Sequence, residues 1–246
     1  MKFQQPLRNW GGSLVILCLL LYLTLGANSL EPLLGPLAPE NAPAIYARNS
    51  FIDLVGWHLL LVLIAISAAA VIAILAALFV SRPVGADFLP LARSLANLGQ
   101  TLPPVAVLAL AVPAVGFGSW PTLIALFLYG LLPIFENTLA GLGSVPTTVK
   151  DAARGLGMSP LQRFWQVELP LALPLIITGI RLSVIISIGT ATIGSTVAAK
   201  GLGEVIIAGI LTDNLAFVLH GGLIVALMAM LLDGLFVKLE RRFATV

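Results

Sequence analysis

Lys150-Asp-Ala-Ala-Arg-Gly-Leu-Gly-Met-Ser-Pro-Leu-Gln-Arg-Phe-Trp-Gln-Val-Glu-Leu-Pro-Leu-Ala-Leu-Pro174 is a charged island in an otherwise apolar chain. The sequence as a whole is 59% hydrophobic and 10% charged, with a mean hydropathy of +1.05, where a soluble domain carries about 25% charged residues. It therefore reads as an all-α polytopic membrane protein, and the island as a soluble segment between two spans. Local signals divide the segment in two. Ser144 or Thr147 can cap a helix whose first turn tolerates Pro146. Val149, Ala152, Ala153 and Leu156 recur at i, i+3, i+4 and i+7, an apolar stripe of mostly small residues beside Lys150, Asp151 and Arg154. Gly155 and Gly157 end that helix. Ser159-Pro160-Leu161-Gln162 then has the capping-box pattern of a second start, Leu161, Phe164 and Trp165 face one way, and Leu169-Pro170 with Pro174 leads into the next span. The expected shape is a helix-turn-helix along the membrane surface.

Outward from the island, the flanking runs give about six spans. Lys2 and Arg8 precede an apolar run from Leu14 to Ala27 beside Trp10; with no small-x-small cleavage site, it reads as a retained first helix. Residues 28–53 are rich in Pro and Asn, a loop with one short interfacial helix near Ile45 to Phe51. Leu54 to Val80 is the clearest span. His58, near its end and without an acidic partner one turn away, reads as an interfacial histidine. A half-amphipathic helix from Phe88 to Gly99 is broken at Gln100-Thr101-Leu102-Pro103-Pro104 and resumes to Gly116, a broken helix of the kind tolerated only where it is buried or lines a cavity. Thr122 to Phe135, Leu175 to Val197 and Phe217 to Val237 complete the set. Two units are expected: residues 1–53, an N-terminal helix and outer loop, and residues 54–246, the core, with its loop at 144–174.

Basic residues orient the chain. With the N-terminus inside, Lys2, Arg8, Arg82, Arg93, Lys150, Arg154, Arg163, Lys238, Arg241 and Arg242 fall on the cytoplasmic side and only Arg48 and Lys200 face out. Both termini and the island are then cytoplasmic. A net charge of +2 with scattered basic residues excludes a nucleic-acid footprint. Cys18 is the only cysteine and His58 and His220 the only histidines; none has partners at metal-ligand spacing.

The island carries a resemblance. Asp151-Ala152-Ala153, three residues, Gly157, nine residues, then Val167-Glu168-Leu169-Pro170 is similar to the "EAA" loop of binding-protein-dependent ATP-binding cassette importer permeases: Glu-Ala-Ala, three residues, Gly, nine residues, Ile-x-Leu-Pro. Asp151 for Glu and Val167 for Ile are the departures, and the shorter arm of Asp151 alters its own contact. From about Phe51 to Arg242 the chain also resembles glycine betaine, carnitine, choline and osmoprotectant permeases, at Gly99 to Pro104, Gly116-Phe117-Gly118, Glu168 to Pro174, Gly179-Ile180-Arg181 and Gly201-Leu202-Gly203. Gly189-Thr190-Ala191-Thr192-Ile193 most resembles the osmoprotectant permeases of Gram-negative bacteria, which work with a second, related permease.

The resemblance implies a type I importer permease in a bacterial inner membrane. Its partners would be cytoplasmic ATPase subunits, a second permease subunit, either a related chain or a copy of this one, a periplasmic substrate-binding protein and the surrounding lipid. It also implies that the helix Val149 to Leu156 sits in a groove on the ATPase, with Val149, Asp151, Ala152, Ala153, Arg154, Gly155, Leu156 and Gly157 forming the coupling site. The chain has no Gly-x-x-x-x-Gly-Lys-Ser/Thr loop, so ATP and Mg belong to the partner and this chain binds no cofactor. No nucleophile, metal or acid-base constellation marks an enzyme, and no internal repeat or acidic relay marks a secondary transporter.

Within the spans, Gln100, Thr101, Thr190 and Thr192 are candidates to line a pathway, although small polar residues also serve helix packing. Arg181 needs a partner or water at its depth; pairing with Asp233 or Glu136 is expected, with Glu168 the other acid nearby. The loop from Gly35 to Asn49 and the turn from Lys200 to Glu204 are candidates to meet a binding protein, and Trp57, Trp120 and Trp165, at span ends, read as interfacial anchors or coupling-helix packing and not as an aromatic cage.

Overall fold

In hydrocarbon, backbone N–H and C=O groups have only each other as partners, so long apolar runs become helices. The structure, a computed structural model that describes residues 6–243 with side chains from Gly11 onward, contains helices and no strands among the described residues. Lys2 lies outside the described residues, as do the side chains of Arg8 and Trp10.

The helices are α1 (Pro6–Leu25), α2 (Glu31–Leu34), α3 (Phe51–Val80), α4 (Leu89–Thr101), α5 (Pro104–Val115), α6 (Ser119–Ser144), α7 (Thr147–Gly155), α8 (Pro160–Arg163), α9 (Leu169–Ala191), α10 (Gly203–Leu211) and α11 (Leu215–Phe243). Four continuous helices are long and apolar enough to cross a membrane: α3, α6, the 32 residues from Pro160 to Ala191, and α11; two bent pairs bring the number to six. Their shared core is built from α3, α6, α9 and α11, where Leu54, Ala69, Leu126, Ile134, Ile188 and Ile224 are fully buried. Side chains turned outward are mostly large and apolar, as lipid-facing positions must be.

The sharpest bend has a simple cause. Leu102 precedes Pro103 and Pro103 precedes Pro104, and a residue before proline is driven out of the helical region. Both are extended, at φ −102°, ψ 139° and φ −60°, ψ 143°. The helix axis turns by 98° there. Pro104 then opens α5, its absent N–H costing nothing in the first turn. The bend is held on α6 by a close backbone approach, since a Cβ on Gly99 would lie 2.3 Å from the Leu128 carbonyl oxygen.

Several element boundaries depart from the sequence reading. Glu136 and Asn137 do not end the fourth span, which continues as helix to Ser144. Pro170 and Pro174 do not close a separate surface helix. Pro160–Arg163, a π turn at Phe164–Glu168 and α9 follow one another without a break, so the second limb of the expected helix-turn-helix is the end of the fifth span. Pro170 follows closely on that π turn, where the regular helical hydrogen-bond register is already interrupted. In the outer loop the short helices are at 27–37 rather than near Ile45 to Phe51. Neither Ser144 nor Thr147 caps α7; the N-cap position is Pro146, with no side-chain bond.

His58 is turned into the protein. It is 1% exposed, and its Nε2 lies 3.0 Å from the Ile188 carbonyl oxygen, tying α3 to α9. His220 joins α11 to α1 in the same way, through the Leu23 carbonyl oxygen at 2.9 Å.

Candidate functional site

α7 projects from one end of the bundle, where α3, α6 and α11 also finish and the Pro160–Ala191 helix begins. Its exit is a glycine turn. Gly157 sits at φ +75°, the left-handed conformation that only glycine takes without strain. Leu156, Gly157 and Met158 donate their N–H groups to the carbonyls of Ala152, Arg154 and Ala153, closing the helix end. The next start is a complete capping box: Ser159 N–H donates to Gln162 Oε1 at 2.8 Å, and Gln162 N–H to Ser159 Oγ at 3.3 Å. Two capped ends across a left-handed glycine fix the angle between α7 and α8.

Of the apolar stripe, only Ala153 is buried within this chain. Val149, Ala152 and Leu156 are exposed, Leu156 at 83%. Asp151 and Arg154 pair with each other at 3.0 Å on the exposed face, a contact of the kind that contributes little by itself. Gly155 is open, with nothing near its missing Cβ. Lys150 leans back to donate to the Leu142 carbonyl at 3.4 Å. α7 is thus a nine-residue amphipathic helix attached by Ala153 and its two ends, with most of its apolar side uncovered in this chain.

The segment after it is braced. Arg82, at the end of α3, reaches Glu168 at 2.8 Å and lies over the Phe164 ring at 5.4 Å. Phe164 meets Trp165 edge to face. Glu168 is 8% exposed, so this carboxylate serves Arg82 and not Arg181. Arg82 and Glu168 were not paired in the sequence reading; what could have joined them is that each charge borders a span end on the same side.

Arg181 meets Asp233, Nε to Oδ1 at 2.6 Å, and Glu240 at 3.5 Å. Glu136, the other expected partner, instead takes a two-pronged contact from Arg93, at 2.5 and 3.1 Å. Sequence reasoning missed Glu240, although Asp233 and Glu240 are seven residues apart and so share one face of α11.

The polar residues at the bend are engaged with backbone. Pro133 has no N–H, so the Tyr129 carbonyl four residues earlier lacks its helical donor. Gln100 Nε2 supplies one, at 3.1 Å. Tyr129 in turn donates its hydroxyl to the Leu102 carbonyl, an acceptor exposed by the bend itself. Thr101, Thr190 and Thr192 donate to the carbonyls of Leu98, Ile186 and Gly189, each within its own turn. The structure does not bring Gln100 and Thr101 together with Thr190 and Thr192 through any hydrogen bond among the described residues.

At the opposite end, the outer loop and the 200–204 turn do meet. Asn49 Nδ2 donates to Glu204 Oε2 at 2.8 Å, and the Tyr46 hydroxyl approaches the same oxygen at 3.5 Å. Burial, and then the Glu204 charge, pushes the Tyr46 phenol up. Lys200 lies 3.4 Å from Asp53 and over the Trp57 ring at 5.8 Å. No group of three metal-ligating side chains occurs among the described residues.

A model of the family described as "binding-protein-dependent transport system inner membrane component" matches residues 69–245. The osmoprotectant import permease protein OsmY of Salmonella typhimurium is 41% identical over 187 residues, 76% of this chain and 79% of that one. The choline transport system permease protein OpuBD of Bacillus subtilis is 35% identical over 213 residues, 84% of this chain and 92% of that one. Among solved structures, an inward-facing MetNI methionine ABC transporter chain aligns at a TM-score of 0.70 with 21% identity, over 78% of this chain and 95% of the other.

Proposed function

Because the chain belongs to the binding-protein-dependent inner membrane components of transport systems, we propose that it is the permease of an ATP-driven importer for a small osmoprotectant, such as glycine betaine or a related quaternary ammonium compound. Membership makes it a multi-pass inner-membrane transport subunit and not an enzyme, with the type I importer permease fold. The substrate class rests on the relatives, whose names specify osmoprotectants, choline, carnitine and glycine betaine.

The observation that carries the coupling role is the uncovered stripe of α7. A short helix with one buried residue and Val149, Ala152 and Leu156 exposed has an apolar face for a partner protein to cover. In this reading that partner is a cytoplasmic ATPase holding ATP and Mg, and the α7 end and both termini are cytoplasmic. A second permease, a copy or a related chain, completes the pathway, and a periplasmic binding protein delivers substrate at the opposite end. ATP-driven closure of the ATPases pulls on α7, and the capped turn at Gly157 and the Arg82 brace carry that pull to α9 and α3.

The test follows from the difference between two neighbours. Ala153 is buried in the chain itself, so changing it perturbs the loop; Ala152 is exposed, so Ala152→Glu places a charge on the partner face alone. Co-expressed with its ATPase and binding protein, the Ala152→Glu chain inserts and folds normally, but loses ATPase copurification or runs ATP hydrolysis without glycine betaine uptake in proteoliposomes. Normal coupled uptake by this variant would overturn the coupling role. Uptake by the wild-type chain without any ATPase would overturn the importer reading.

A further inference from the structure

At the end of the bundle opposite α7, an open pocket of about 710 Å³ lies between residues 43–48, the 195–199 turn, α10 and the start of α11. That volume is within the roughly 300–1,000 Å³ of small-molecule sites. Tyr46 and Phe217 form one wall, their rings edge to face with centroids 5.5 Å apart. Glu204 lines the same pocket, fixed through Oε2 by Asn49 and Tyr46. Its other oxygen has no hydrogen bond among the described residues.

Arg48 lines the pocket too. It is exposed, and its guanidinium makes no hydrogen bond or ion pair among the described residues. Lys200, at the same end, is by contrast engaged with Asp53 at 3.4 Å. Ala198, in the far wall, is held at φ +65°, a conformation that an alanine leaves unless its surroundings fix it.

One held carboxylate, one unpaired guanidinium and two aromatic rings around a single pocket select a ligand with charges of both signs. A quaternary ammonium group is attracted to aromatic rings and to a carboxylate that cannot turn away. A carboxylate is matched by the planar fork of arginine. From this juxtaposition we propose that the pocket is a binding site for a small zwitterion, its quaternary ammonium end against Glu204, Tyr46 and Phe217 and its carboxylate on Arg48. The inference rests on the importer reading and adds to it a site on the permease itself, which the substrate occupies after leaving the binding protein.

The experiment uses the assembled permease and ATPase complex in lipid nanodiscs, without binding protein, titrated calorimetrically with glycine betaine and separately with choline, which has the ammonium but no carboxylate. The wild type binds both saturably. Arg48→Gln weakens glycine betaine roughly tenfold, the loss of a charge-assisted contact, and leaves choline unchanged. Glu204→Gln weakens both. Because Glu204 also anchors Asn49 and Tyr46, the more telling variant is Arg48→Gln, which breaks no hydrogen bond or ion pair among the described residues. A wild type that binds neither compound overturns the site, as does an Arg48→Gln variant that changes both ligands equally or neither. If that variant leaves both titrations intact and weakens only docking of the binding protein, the pocket belongs to that protein's surface and the site is refuted. ATP-driven uptake by the same complex reconstituted in proteoliposomes, with its binding protein added, separates the two readings: uptake without pocket binding refutes the site alone, and pocket binding without uptake refutes the importer.

Discussion

Replacing Gln100 by Leu removes the donor to the Tyr129 carbonyl while keeping the side chain's bulk. That carbonyl is free because Pro133 has no N–H to offer it, and Gln100 Nε2 is its hydrogen-bond partner, at 3.1 Å. An orphaned carbonyl of this kind costs about 1–3 kcal/mol, and the partly buried setting places Gln100→Leu in the lower half of that range, about 1.5 kcal/mol. For a chain of this size that is a fall of roughly 3–6 °C in melting temperature, at about 2–4 °C per kcal/mol. In a Pro133→Ala background the new N–H at position 133 closes the ordinary helical bond to Tyr129, so Gln100→Leu then costs close to zero. The coupling, about 1 kcal/mol or more, exceeds the 0.3–0.5 kcal/mol within which independent sites add. Tryptophan-fluorescence melting of the four purified forms in one detergent measures it. Equal costs of Gln100→Leu in both backgrounds would show that the glutamine does not substitute for the missing proline donor.

Two other perturbations have defined outcomes. Arg181→Ala removes the guanidinium that Asp233 and Glu240 share; it destabilises by about 1–3 kcal/mol and is largely rescued by Asp233→Asn, whereas Arg93→Ala, at a more exposed pair, shifts the same melts less. Gly99→Ala brings a methyl to 2.3 Å from the Leu128 carbonyl oxygen and forces α4 off α6 at about 1–3 kcal/mol, checked by melting temperature and by faster proteolysis of the bend.

The number of spans and the bend were legible because lipid leaves little choice: hydrophobic length reports a crossing, and Leu102-Pro103-Pro104 contains two residues that cannot stay helical. The capping box at Ser159 and the glycine exit at Gly157 were legible because their chemistry is local. Span ends were not. Glu136 looked like a stop signal because its partner, Arg93, is on another helix, 43 residues away. His58 looked interfacial for the same reason, since its partner is a backbone carbonyl 130 residues distant, and a carbonyl leaves no mark in sequence. The pairing of Arg181 was half legible: Asp233 could be listed and Glu240 was not, and choosing Asp233 over Glu136 depends on how α9 packs between neighbours. Gln100 illustrates the converse. Its polarity suggested a pathway position, and only the helix geometry connects it to a proline on a neighbouring span.

The run from Pro160 to Ala191 is one continuous helix of 32 residues, about 48 Å long at about 1.5 Å per residue. Its near end bears Trp165 and the Arg82 brace, and its far end bears Thr190 beside the outer turns. A rod of that length tilted by about 5° sweeps its far tip through about 4 Å, comparable to the width of a methyl group. A small rotation at the α7 end becomes a displacement of several ångströms at the other end, with the capped turn at Gly157 holding the angle and the helix itself as the lever arm.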